Sequence, residues 1–211
     1  MSSIPRLTLL TSTLLAMTAC STLSKDECLN ADWHLIGLED GSRGYEVSRI
    51  GSHREACAKV GVVPNLTHYR AGLNEGYQSY CAAANGYAVG LAGGQYKNVC
   101  QNKDAQDFVS AYQHGRDLYR LQQSLQNLNQ LIADYNNTID SLLNDNAVLE
   151  EQLVHRARTP TERQQLLNSI KNNEQEAAEL AQSIIYSERE RAVLAQDLAD
   201  LEAYHRQLGY Q

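Results

Sequence analysis

Two apolar runs on either side of Thr159-Pro160-Thr161-Glu162 constrain this chain more than any other feature. Before the break, Leu118, Leu121, Leu125, Leu128, Ile132, Tyr135, Ile139, Leu142, Asn146, Leu149 and Leu153 alternate steps of three and four. After it, Leu166, Ile170, Asn173, Ala177, Leu180, Ile184, Ser187, Arg191, Leu194, Leu198, Leu201, His205 and Leu208 keep the same spacing with more polar members. A heptad seam of this length predicts two coiled-coil helices. Thr159 suits the N-cap of the second helix, Pro160 its first position, and Glu162 completes a capping box. A helix that stops and restarts over so few residues folds back antiparallel. Leu153 then faces Leu166, Leu149 faces Ile170 and Leu142 faces Ala177. The same register sets Asn146 opposite Asn173, a polar pair in an otherwise apolar seam, and His114 opposite His205. With about 40 residues in each arm, the rod is about 60 Å long.

The first twenty residues read as a targeting segment. Arg6 gives a short positive start and Leu7 to Met17 an apolar stretch too short for a membrane span. Its end, Leu15-Ala16-Met17-Thr18-Ala19-Cys20, resembles a bacterial lipobox, with Met17 where Leu is commoner. The resemblance implies cleavage before Cys20, acylation of Cys20 and, with Ser21 next, an outer-membrane lipid anchor facing the periplasm. Several acyl chains hold a protein on a bilayer where one does not. An ordinary cleaved signal is the alternative, and Cys20 standing where the cut should fall argues against it.

Between anchor and rod the composition changes. Twelve of the thirteen glycines lie between Gly37 and Gly115, which sets the boundary of a compact block near Gly115. Glycine at this density would cost a helical rod about 1 kcal/mol per residue against Ala. The expected organisation is a signal peptide over 1–19, a lipidated tether over 20–27, a Cys/Gly/Tyr-rich block over 28–115 and an antiparallel hairpin over 116–211, with its turn near 157–161. The fold class is all-α. Within the block, short helices are expected over Trp33–Glu39, Ser48–Val60 and Pro64–Cys81. Gly72 and Gly76 share a face on which another backbone packs. Asn85 to Cys100 reads as an irregular, stapled loop. Phe108, Tyr112 and Tyr119 of the ascending helix face the block.

Cys28, Cys57, Cys81 and Cys100 remain after Cys20, an even number in an exported chain. Three connectivities are open. Pairing neighbours along the chain, Cys28 with Cys57 and Cys81 with Cys100, is preferred, each bond contributing roughly 3 kcal/mol. Zinc is the rival, but no Cys-x-x-Cys pair is present.

The block also carries a resemblance. Cys28-x4-Trp33-x3-Gly37-x2-Asp40-Gly41-x2-Gly44, His53-Arg54-x-Ala56-Cys57 and Tyr69-x2-Gly72-x3-Gly76-x3-Tyr80-Cys81 follow in order. Gly90-x2-Gly93-x2-Tyr96-x2-Val99-Cys100 and Phe108-x2-Ala111-Tyr112-x2-Gly115 complete the pattern. It resembles a family of small bacterial envelope lipoproteins catalogued as a domain of unknown function (number 2799). Gln101 stands where a Pro often follows the last Cys. The resemblance implies an envelope location and no established activity.

No catalytic motif is apparent. The six histidines are scattered, with no His-Glu-x-x-His and no Gly-x-Ser-x-Gly. Gly90-x-x-Gly93-Gly94 lacks the Lys of a phosphate loop. Acidic residues such as Glu39, Asp40, Glu46, Glu55 and Glu75 could serve glycan cleavage, but any exported protein has as many. His53 and Arg54 are the most suggestive pair; a helix face packed on Trp33 or on the Gly72/Gly76 face explains them as well. The chain is therefore read as a non-enzyme without cofactor or metal, and its net charge of -7 argues against nucleic acid. Two functions follow. One is an envelope scaffold that meets a protein partner through its rod, with Arg156, Arg158 and Arg163 at the distal turn as a basic docking tip, or as helix-end cations. The other is a small-ligand or glycan binder in which Tyr45, Tyr69, Tyr77, Tyr80, Tyr87 and Tyr96 line a groove. Convergent exposed rings would favour the binder, rings buried against glycines the scaffold.

Overall fold

A computed structural model describes residues 22–155 and 158–210, and among these the protein is all-α. Its helices are α1 (Lys25–Leu29), α2 (Trp33–Ser42), α3 (Ile50–Ala58) preceded by a 3-10 turn over Val47–Arg49, α4 (Leu66–Tyr80), α5 (Ala83–Leu91), α6 (Asn102–Leu153) and α7 (Pro160–Gln207). The chain forms two compact units that divide between Gly76 and Tyr77, within α4, and not at Gly115, which lies inside the unbroken α6.

The first unit is built on close backbone contact. α2 starts at Asp32, whose carboxylate accepts from the amides of His34 and Leu35, and α4 starts beyond Asn65, which does the same for Thr67 and His68. Gly37 and Gly41 of α2 meet Gly72 and Gly76 of α4. A Cβ on Gly37 would lie 2.1 Å from the carbonyl oxygen of Tyr69, and one on Gly72 only 1.8 Å from that of His34. Two helices packed this closely leave no room for any side chain at the crossing. The Cys28–Cys57 disulfide joins α1 to α3 with Cα atoms 5.3 Å apart. Gly61, at φ +73°, ends the turn after α3, where the amide of Val62 donates to the carbonyl of Cys57.

The second unit repeats the device. Gly86 and Gly90 of α5 lie against Phe108 and Tyr112 of α6, a Cβ on Gly90 falling 2.2 Å from the Tyr112 carbonyl oxygen. Gly115 presses in turn on the Tyr87 carbonyl. The Cys81–Cys100 disulfide lies in a core with Tyr80 and the fully buried Phe108, against which Tyr77, Tyr96 and Tyr112 pack. The Tyr112 hydroxyl donates to the Gly94 carbonyl.

From this core the hairpin extends. α6 has 52 residues and α7 has 48, about 78 and 72 Å of helix at 1.5 Å per residue. Thr159 and Glu162 form both arms of the capping box and Pro160 opens α7. Every expected seam residue of the two arms is buried or half-buried except Leu208, which lies past the end of α7. Asn173 Nδ2 donates to Asn146 Oδ1 at 2.8 Å, and Asn146 Nδ2 donates to the Ile170 carbonyl. Only Leu118, Ile132 and Ile170 of the apolar seam residues are buried, the rest being half-buried or exposed. Two helices alone cannot dry a seam, so the outer faces add local support. Gln130 with Asp134, Gln175 with Glu179 and Gln196 with Asp200 are hydrogen-bonded one turn apart, each worth about 0.2–0.5 kcal/mol.

Two further expectations are corrected. Residues 24–27, read as part of a tether, include a Ser24–Glu27 capping box and the first turn of α1. The stretch read as an irregular loop contains helix α5, because Gly86 and Gly90 are spent on contact with α6 and not on turns. This packing predicts opposite outcomes for two glycine substitutions. Gly72→Ala should destabilise by about 3 kcal/mol or prevent folding. Gly51→Ala, whose Cβ would have no atom within 4 Å, should stabilise α3 by up to ~1 kcal/mol. Urea unfolding of both variants checks this; equal effects would contradict the close crossing.

Candidate functional site

His53 is the centre of a buried polar network in the first unit. It sits on α3 with its side chain 4% exposed, and its Nε2 lies 2.7 Å from Asp40 Oδ2 on α2. The same carboxylate oxygen accepts from the Tyr69 hydroxyl of α4 at 2.7 Å. On the other side of the ring, His53 Nδ1 lies 3.0 Å from Thr22 Oγ1. Burial pushes the Asp40 carboxyl up, but the hydrogen bonds from His53 and Tyr69, with the charges of His53 and Arg49, outweigh it and hold the group below the ordinary carboxylate range. Arg49 also lies over the Tyr45 ring at 4.7 Å. A hydroxyl, an imidazole and a carboxylate thus stand in line. Their partners come from α2, α3, α4 and the segment before α1, so the network ties four parts of the unit together. Arg54, next in sequence, is exposed and outside it.

The sequence pointed to His53 but not to its partners. Asp40 precedes Gly41, which reads as a helix stop, and nothing in the spacing marks it as buried. In the structure Gly41 stays helical because the α4 backbone packs on it.

In the second unit, His114 and His205 meet where the hairpin begins, with ring centroids 5.2 Å apart. His205 is 1% exposed. Its Nδ1 lies 3.2 Å from the Tyr87 hydroxyl, and its Nε2 is buried without a hydrogen-bond partner among the described residues. Tyr210 stacks on Tyr87 at 4.5 Å with the rings nearly parallel. Burial, and then His114, push the His205 pKa down; Asp117 opposes them more weakly. Burial, and then Glu202 and Tyr210, push the Tyr87 hydroxyl up.

The remaining residues singled out in sequence fall as follows. Cys28, Cys57, Cys81 and Cys100 are all in disulfides, which removes the thiolates that zinc would need. Among the described residues no three His, Cys, Asp or Glu side chains converge as metal ligands. Tyr69, Tyr80 and Tyr87 are buried, and Tyr45, Tyr77 and Tyr96 are half-buried, so the six rings do not form an exposed groove. At the distal turn, Arg163 donates to the carbonyls of Leu153 and His155. Arg158 donates to Gln152 and lies 3.9 Å from Glu162. Arg163 thus serves the open C-terminal end of α6, the position a cation prefers. Arg156 and Cys20 lie outside the described residues.

The burial of His205 is something pH can read. His205 binds its proton less tightly in the folded chain than in the unfolded one, so unfolding takes up a proton as the solution turns acid. Its contribution is complete above the ordinary histidine pKa of 6.5 and is lost as pH falls through and below that value. Melting temperature should therefore drop between about pH 7 and 5, and His205→Phe should flatten that part of the curve. An unchanged slope in the variant would contradict the assignment.

Residues 32–117 match the family model described as Protein of unknown function (DUF2799). The match takes in Asp40, His53, Tyr69 and both glycine-packed helix pairs, and it ends at the root of the hairpin, just past His114. No curated protein and no solved structure matches the chain. What the chain is similar to is therefore that family of unknown function, over residues 32–117.

Proposed function

We propose that this chain is a lipid-anchored lipoprotein of the bacterial outer membrane, facing the periplasm, and that it works without catalysis as an interaction module through its hairpin. The anchor is Cys20, acylated after removal of residues 1–19. The lipobox-like Leu15 to Cys20 supports this reading, and so do two disulfides, which suit an oxidising compartment. No helix of the described residues is long and apolar enough to cross a membrane, so a lipid is the means of attachment in this reading.

The observation that carries the interaction role is the outer surface of α7. Ile185, Tyr186 and Val193 lie within about two turns of one another and are 44%, 62% and 60% exposed. None belongs to the seam with α6. A helix that spends large apolar side chains outside its own seam has surface for another helix or an extended segment of an envelope protein. The burial of the tyrosines supports the same choice over a groove for ligands in the Tyr-rich region.

The test is site-specific photocrosslinking in intact cells. A benzophenone side chain in place of Tyr186 or Val193 should give a discrete adduct with an envelope protein. The same residue at Glu174, an exposed acidic position of α7, should not. Cys20→Ala should abolish palmitate labelling and release the chain from membranes. Adducts that survive removal of residues 129–190, placed elsewhere in the chain, would contradict the role of the hairpin. Palmitate incorporation that persists without Cys20 would contradict the anchor.

A further inference from the structure

The root of the hairpin holds a cavity of about 530 Å³ among α5, α6, α7 and the segment after α7. Tyr87, Leu118 and His205 are its buried members, and Gln122, Glu202 and Arg206 its more exposed ones, with Tyr210 stacked on Tyr87 beside them. The volume is in the range of small-ligand sites, and the position between helices of a bundle is where such sites form.

The lining has a definite chemistry. It offers one acidic and one basic side chain, so its formal charge is balanced and it does not select an ion of either sign. Glu202 and Arg206 stand one turn apart on α7, yet no ion pair joins them to each other or to another described residue. Each keeps its hydrogen-bonding groups for something else. Tyr210, stacked on the buried Tyr87, supplies flat aromatic surface. His205 completes the set. One ring nitrogen is engaged with Tyr87, and the other is buried and has no partner in either tautomer. A buried polar atom of this kind costs about 1–3 kcal/mol until something satisfies it. That nitrogen is closed to solvent, but His205 lines the cavity and its ring signals report a ligand bound there.

We propose that this cavity binds a neutral saccharide of one or two rings. The C–H face of a sugar packs on Tyr210, and its hydroxyls meet Gln122, Glu202 and Arg206. Such a ligand is apolar on one face, rich in hydroxyls at its edge and uncharged, which matches the lining on each count. The site is distinct from the exposed face of α7 and does not rest on the interaction role proposed above. It also differs from a groove of the six block tyrosines, since it takes only Tyr87 from that set.

Nuclear magnetic resonance of the full mature chain tests this. Cellobiose, maltose and N,N′-diacetylchitobiose are titrated separately, with phenylalanine as a zwitterionic control. The expected result is saturable binding of at least one disaccharide with Kd of ~1 mM or tighter. The side-chain nitrogen signal of His205 should shift and that of His53 should not. Arg206→Ala and Glu202→Gln, both away from the glycine contacts, should keep the helical spectrum and weaken binding by about tenfold. Three outcomes would overturn the proposal: no disaccharide shifting His205 up to about 10 mM, binding unaltered in both variants, or phenylalanine binding in place of the sugars.

Discussion

The register between α6 and α7 governs the second unit. Leu118 packs beside Leu201 in one core cluster, His114 meets His205, and Asn146 holds Asn173. The first two pairs lie one turn apart at the root and the third lies far along the hairpin, and one alignment satisfies them all. A slip of one heptad would leave the two asparagines without each other and would carry His205 away from Tyr87. A buried polar pair in an apolar seam costs some stability and in return penalises every other alignment. The cavity at the root, the stacked Tyr87 and Tyr210, and the unpartnered nitrogen of His205 all follow from this alignment.

The second constraint is the close approach of backbones at glycine. α2 crosses α4, and α5 crosses α6, with glycines four residues apart on three of the four helices; on α6, Ala111 precedes Gly115 by the same step. Helices this near leave little space for aliphatic side chains, which explains a core built on Tyr, Trp, Phe and cystine. Rings from flanking positions cover the crossing, as Tyr80 and Tyr96 do on Phe108. A disulfide then fixes a neighbouring segment in each unit. The buried Asp40, His53 and Tyr69 fit the same logic: polar groups are tolerated there because each one has a partner.

Legibility in the sequence followed the strength of each local signal. The hairpin was readable because a heptad repeated without a slip over both arms, and the capping box marked its turn. The asparagine pair followed from apolar pairing alone. The cysteine pairs followed chain order. α5 was not readable, because four glycines within nine residues argue against a helix on propensity, and only the packing on α6 reverses that. The partners of His53 were hidden for a related reason. Asp40-Gly41 looks like a helix end until α4 is placed against it. His205 was visible as a seam histidine opposite His114, but its contact with Tyr87 joins residues 118 positions apart, and no local pattern encodes that distance.

The most direct test of this account is disulfide trapping of the hairpin register. Cysteines replacing Leu142 and Ala177 should close into an intramolecular bond under mild oxidation, while cysteines replacing Leu142 and Ile184, one heptad away, should not. Peptide mapping identifies the bond and confirms that the native pairs are intact. Closure of the shifted pair in place of the first would contradict the alignment on which the hairpin, its root and the cavity depend.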